Sequence, residues 1–335
     1  MEYTKIEREA WAFQQPITAE TIEKMCKRAF GKVTEVVAAR ELGNGEYNNV
    51  YLLELANRDA VILRVAPRSA EQGVWLEHSF MRREYILQPY FASIAPLLPK
   101  ILMIDFTHQL IERDYMFQTY MPGELWSNVM DTLTEDENDA LWRQFARVAK
   151  TIANIKGDVF GMSYPGLQFA TWSGKVLEAL EQSLREAVCY GLDSEPIQML
   201  HDIAATHVDL IDEITKPCLL HGDLWPFNML IQRREKELVI SAVLDADRGY
   251  WGDPLADWTF NLLERKVSPH VREVFWQEFG RPEETPGLHF RTSLYRGMHC
   301  CHVLSWMQRL NLTQQSEEVY ADLHKALAEL QMLAP

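Results

Sequence analysis

An aspartate, an asparagine five residues on, and a second aspartate seventeen residues after that are the densest chemistry in this sequence: Asp223, Asn228 and Asp245. Between Asn228 and Asp245 lie two largely apolar runs, 229–231 and 238–244, split by Arg233-Arg234-Glu235-Lys236-Glu237. Apolar runs on either side of a charged turn read as a β-hairpin. A hairpin returns its second strand to where the first began, so Asn228 and Asp245 should meet at its open end beside Asp223. Three oxygen-bearing side chains at one point suit Mg²⁺, a hard cation that takes oxygen ligands and keeps phosphates and waters for the rest of its shell.

Several upstream elements must position these residues. Leu42-Gly43-Asn44-Gly45-Glu46-Tyr47-Asn48-Asn49 lies between two strand-like runs, and its glycines would let backbone N–H groups approach a phosphate. Asn44-Gly45 is equally a hairpin turn, and no GxxxxGK[ST] motif is present. In 60–66 Arg64 interrupts an apolar strand, and a cation there needs an anionic partner. The helix predicted over 74–88 supplies one, because Glu84 falls four residues after Phe80 on the face of Leu76 and Leu87. A half-exposed surface glutamate is the plain alternative. Strands are expected at 33–38, 100–106 and 111–120, before Met121-Pro122-Gly123 breaks the pattern. Helices follow at about 171–190, 194–214, 268–279, 288–309 and 313–332. Thr134 and Glu137 form a candidate capping box ahead of the stripe Leu141, Phe145, Val148, Ile152.

His221-Gly222-Asp223 with Asn228, then Asp245, then Gly252-Asp253-Pro254 with Asp257, resemble in order and spacing the catalytic and metal-binding segments of the aminoglycoside phosphotransferase family, the small-molecule branch of the protein-kinase-like fold. By motif the resemblance spans residues 33 to 265. It implies an α+β, bilobal fold. A small N-lobe, 1–121, would carry an N-terminal helix, the Gly-rich loop, a five-stranded antiparallel sheet and one main helix. A larger helical C-lobe, 122–335, would carry the catalytic loop and the acceptor site. Asp223 would accept the proton of an acceptor hydroxyl, and Asn228 and Asp245 would hold Mg²⁺ against the phosphates. Gly43, Gly45, Asn48, Arg64, Glu84, Gln118 and Met121 would surround ATP or GTP, with Arg64 in the place kinases usually give to lysine. His221 and Asp257 would support the loop, and Asp247 and Asp253 would stand behind the metal or face the acceptor. The implied acceptor is an aminoglycoside or another antibiotic. Metabolic alcohols (choline, homoserine, a fructosamine, a thiosugar) are the alternative, as is a non-catalytic nucleotide-binding protein, which the arginine at position 64 favours. No activation segment separates Asp245 from Gly252, which disfavours a protein kinase.

Composition narrows the partners. The 335 residues are 47% hydrophobic and 24% charged, ordinary for a globular protein. A formal charge of −15 disfavours nucleic acid, which requires a basic footprint. It fits either a cationic acceptor or mere solubility. Tryptophans 126, 172, 225, 251 and 258 could wall an amine, though core packing is the commoner role. Five cysteines without CxxC spacing and the lack of a signal-like start suggest a cytoplasmic protein with reduced thiols. No run approaches the ~18 apolar residues of a membrane span.

Overall fold

The computed structural model describes residues 1–9, 12, 14–43, 47–67, 80–162, 167–309, 312 and 316–333. The chain opens with β1 (Glu2–Thr4) and α1 (Ala19–Phe30). The Thr18 hydroxyl accepts the Thr21 N–H at 3.2 Å to start α1, which buries Ile22, Met25 and Cys26 on one stripe. Next come β2 (Val36–Leu42), β3 (Asn49–Leu55), β4 (Arg58–Val65), α2 (Phe80–Leu87), β5 (Ile101–Asp105) and β6 (Tyr115–Thr119). The sheet runs β1-β2-β3-β4-β6-β5. Its last five strands are antiparallel, as expected. The sixth corrects the expected count: β1 lies parallel to β2, and three residues are too few to reveal an alternation. Strand β2 also starts later than expected, because Val33 is 93% exposed. Tyr51, Leu53, Leu63 and Phe117 pack this sheet against α1.

Of the helix expected over 74–88, the part from Phe80 lies in the described residues. It ends at Leu87, before Pro89, and continues as a 3-10 stretch, Gln88–Leu97. Residues 120–123 then lead from the sheet to β7 (Glu124–Leu125) and a mainly helical half. Gly123 has φ +149°, and a Cβ there would lie 2.6 Å from the Ser241 hydroxyl. That hydroxyl donates to the Pro122 carbonyl at 3.0 Å, so this crossing is clamped from below.

The second half contains α3 (Trp126–Val129), α4 (Glu135–Ala153), β8 (Phe160–Gly161), β9 (Gln168–Phe169), α5 (Trp172–Tyr190), α6 (Glu195–Thr206) and α7 (Val208–Ile211). It continues through β10 (Cys218–Leu220), β11 (Met229–Arg234), β12 (Glu237–Val243), β13 (Tyr250–Gly252), α8 (Trp258–Lys266), α9 (Pro269–Phe279), α10 (Pro286–Arg309) and α11 (Ser316–Leu333). The Thr134–Glu137 capping box forms at the head of α4. The helix expected over 194–214 is two, broken at His207. One core joins α4 and α9 to the β11–β12 hairpin, and a second joins α5, α6, α10 and α11. The segment from His221 to Asn228 lies between β10, which pairs with β13, and the β11–β12 hairpin.

Candidate active site

Strand β10 ends at Leu220, opposite Tyr250 of β13, and the loop that leaves it is fastened by Asp257. One oxygen of Asp257 accepts the backbone N–H groups of His221 at 2.9 Å and Gly222 at 3.0 Å. The other caps α8 through the Thr259 N–H, and the Thr259 hydroxyl donates to the Leu224 carbonyl at 2.8 Å. Gly222 has φ +79°, and a Cβ there would fall 2.2 Å from the Arg248 carbonyl oxygen, so only glycine fits. The His221 ring is fully buried against Phe91, and burial pushes its pKa down, keeping it neutral. The ring faces the Leu244 backbone, which opposes the effect of burial. Its place in the site is thus one of packing, with the loop's fastening done by its backbone.

The hairpin forms in the register Met229↔Val243 and Leu230↔Ala242, and the Leu244 N–H donates to the Asn228 carbonyl at 2.8 Å. Asn228 and Asp245 therefore meet at the open end. The Asn228 Nδ2 donates to the Asp223 carbonyl at 2.9 Å and to its carboxylate at 3.1 Å. That commits the amide nitrogen and orients Oδ1 as the group left for a cation. Burial pushes the Asp223 carboxyl up to about 6, opposed by Arg248, whose Nη1 lies 3.8 Å away, and reinforced by Asp245.

Arg64 crosses from the sheet to this cluster. Its Nη1 donates to Glu84 at 2.6 Å and its Nη2 meets Asp245 at 2.9 Å. Arg64 and Glu84 are both buried. Burial works against the guanidinium's charge, but Glu84, Asp245 and Asp247 more than offset it and raise the Arg64 pKa. Asp245 has φ +57°, a left-handed backbone that aspartate, like asparagine, tolerates better than other side chains do. Asp247 is buried and pushed up to about 7 by burial, then by Asp245 and Glu84. Carboxylate oxygens of Glu84, Asp245 and Asp247 lie within 4.8 Å of one another. The chemistry of this all-oxygen donor set fits a hard divalent cation such as Mg²⁺.

The other expected residues divide. Gln118 was expected at the nucleotide, but its Nε2 donates to Glu84 at 2.8 Å and it is 2% exposed, so it braces the ion pair. Asp253 was expected behind the metal or at the acceptor. Its carboxylate instead accepts the Tyr295 hydroxyl at 2.8 Å, pairs with Arg291 at 3.4 Å and caps the turn at Leu255, all out of solvent. Gly43 directly follows β2, and the Asn48 carbonyl, just before β3, accepts from Gln14 at 3.2 Å. Met121 sits on the crossing after β6. Gly45 lies outside the described residues. Sequence reasoning overlooked Arg83 and Arg248. Their only available signals were adjacency to Glu84 and a place three residues after Asp245.

A β-rich half, a helical half, and an Asp–Asn–Asp cluster bridged by a buried Arg–Glu pair define the protein-kinase-like fold in its small-molecule phosphotransferase form. The chain belongs to the phosphotransferase enzyme family, whose sequence profile matches residues 38–291. No curated protein matches the sequence. Among solved structures, a mutant of aminoglycoside 2'-phosphotransferase IIIa in complex with GDP is 18% identical. That match covers 93% of this chain and 98% of that one, with a TM-score of 0.65. A putative fructosamine-3-kinase from Haemophilus somnus 129PT is 16% identical over 94% and 97%, at 0.64. A thermostable aminoglycoside phosphotransferase APH(4)-Ia, in ternary complex with AMP-PNP and hygromycin B, is 21% identical over 94% and 98%, at 0.58. At these identities the likeness is one of fold.

Proposed function

We propose that this protein transfers the γ-phosphate of ATP or GTP to a hydroxyl group of a small polar molecule. The observation that carries the reading is the convergence of Asp223, Asn228 and Asp245 at one hairpin end, with Arg64 reaching them from the sheet. Asp223, ionised above about pH 6, accepts the acceptor's hydroxyl proton as its oxygen bonds to the γ-phosphorus. The bond to the leaving diphosphate breaks in line, through a loose transition state in which positioning and charge neutralisation matter most. Asn228 and Asp245 would hold Mg²⁺, which when bound neutralises phosphate charge. Arg64, held by Glu84, which Gln118 braces in turn, offers a fixed cation to the phosphates, and the β2–β3 connection between Gly43 and Asn48 would cover them. Met121 and its neighbours on the crossing present backbone to the base.

The fold likeness to an aminoglycoside phosphotransferase and a putative fructosamine-3-kinase supports a hydroxyl acceptor of sugar-like size. The test is Mg²⁺-dependent release of ADP or GDP against a panel of antibiotics and metabolic alcohols. Acceptor-stimulated turnover should fall at least ~100-fold in Asp223→Asn with nucleotide affinity kept. Equal turnover in that variant would remove Asp223 as the base. Nucleotide binding with no stimulation by any acceptor would favour the non-catalytic reading.

A further inference from the structure

Beside Asp223 the protein gathers positive charge, although the chain as a whole is strongly acidic. The guanidinium carbons of Arg83 on α2 and Arg248 on the segment after β12 lie 5.5 and 5.6 Å from the centre of the Phe80 ring. Arg248 Nη1 is 3.8 Å from the Asp223 carboxylate, so Arg248 borders the group that must receive the acceptor's hydroxyl, with Arg83 across the Phe80 ring from it. A third cation, Lys175 on α5, has its Nζ 5.8 Å from the ring centre of Tyr250, which pairs with Leu220 at the root of the catalytic loop.

Arg83 is the informative member. It is 5% exposed, and among the described residues its guanidinium makes no ion pair and no hydrogen bond. A buried cation without a hydrogen-bonded partner is costly and is kept where an anion arrives to meet it. The nearby carboxylates are already engaged: Glu84 and Asp245 on Arg64, and Asp223 on Asn228 and Arg248. Asp247 is felt electrostatically by Arg83 but lies beyond ion-pair distance. Burial lowers the Lys175 pKa, opposed by Glu178 and reinforced by Arg83. A buried guanidinium that no carboxylate grips, facing a second arginine across one aromatic ring, marks an anion site.

We infer that the acceptor carries an anionic group, a carboxylate or a phosphate, which sits among Arg83, Lys175 and Arg248 and holds the alcohol against Asp223. The inference rests on the kinase reading proposed above and names its substrate class. It departs from the polycationic antibiotic that the family resemblance implied, since bringing amines to these three cations would add repulsion.

The test uses the full chain with Mg²⁺ and nucleotide, and sugars of one skeleton: gluconate, glucose 6-phosphate, glucose and glucosamine, with kanamycin as the polycation. Turnover is measured with ATP and GTP, and saturable binding with a non-hydrolysable nucleotide present. Turnover or binding confined to gluconate or to glucose 6-phosphate supports the inference, and which of the two is taken separates carboxylate from phosphate. Arg83→Met should then raise KM or Kd for that sugar about tenfold or more, the loss of a charged hydrogen bond, without weakening nucleotide. Lys175→Gln, on a more accessible side chain, should act the same way and serves if Arg83→Met does not fold. Preference for glucosamine, kanamycin or glucose, or failure of both anionic sugars to bind, overturns the inference. So does a loss of nucleotide affinity in Arg83→Met with the sugar unaffected. Turnover of amines alone would leave the kinase reading standing, whereas anion binding without any turnover would do the reverse.

Discussion

At the scale of single residues, the departure that matters most is arginine at position 64. A lysine ammonium is a point charge, whereas the guanidinium here uses two separate nitrogens, one on Glu84 and one on Asp245. It therefore ties α2 to the metal-side aspartate before any nucleotide arrives. Arg64→Lys can keep one of these contacts and loses the other. The expected outcome is a rise of roughly tenfold in nucleotide KM with an intact fold, read by ADP release and thermal melting. An unchanged KM would mean that the second contact is incidental. Glu84→Gln is the harsher change, for it strips Arg64 of its shortest ion pair and leaves only the charges of Asp245 and Asp247 to offset its burial. Breaking a buried pair from one side costs about 3–5 kcal/mol, so its melting temperature should fall well below that of Arg64→Lys. A smaller drop than in the lysine variant would contradict the assignment of Glu84 as the principal partner.

At the scale of elements, the catalytic loop is shaped by contacts that no side chain at Gly222 could share. Gly222→Ala adds both a left-handed backbone penalty and a Cβ at 2.2 Å from the Arg248 carbonyl. Gly191, the cap of α5 at φ +66°, has nothing within 4 Å of its would-be Cβ. Gly191→Ala should thus cost only the backbone term, about 1–2 kcal/mol, with turnover kept. Gly222→Ala should destabilise further and suppress turnover, and equal effects in denaturant unfolding would rule out the clash. These elements also show what was legible in the sequence. The β11–β12 hairpin was, because two apolar runs around a five-residue charged turn leave few other foldings. The long helices were too, since a stripe such as Leu141, Phe145, Val148, Ile152 persists over several turns. Strands of two or three residues, β1, β7, β8, β9 and β13, were not, because alternation needs more positions to register. The site divides likewise. Asp223, Asn228 and Asp245 stand near one another in sequence and were readable. The commitment of Gln118 to Glu84 and of Asp253 to Tyr295 joins residues 34 and 42 positions apart, and only the packed sheet and helices bring them together.

At the scale of the whole molecule, a chain of aromatic rings links the catalytic loop to the C-terminal helices. Phe227 stacks on Trp225 at 4.4 Å, Trp225 meets Trp258 of α8 at 6.3 Å, and Trp258 meets His299 of α10 at 5.1 Å. The last ring is titratable. Burial pushes His299 down to about 4, against the hydrogen bond its ring donates to the Ala256 carbonyl. In the unfolded chain a histidine takes its proton near pH 6.5. Between those two values the unfolded state binds the extra proton, so acid favours unfolding there. The contribution is complete above about pH 6.5 and is lost as pH falls toward 4. A shift of this size corresponds to roughly 3 kcal/mol at 1.36 per unit, and partial access of solvent to the ring brings the expectation nearer 2. Acid also relieves the repulsion of a chain with net charge −15, which works in the other direction. The two effects separate in His299→Gln, which keeps the charge background and deletes the titration. Melting temperatures of the two proteins at pH 8, 6.5, 5.5 and 4.5 should show the native chain losing stability faster than the variant below pH 6.5. Turnover should follow the same divergence, because the rings that His299 closes reach back to the catalytic loop. Parallel melting curves would place the acid sensitivity elsewhere and leave the ring chain a packing feature alone.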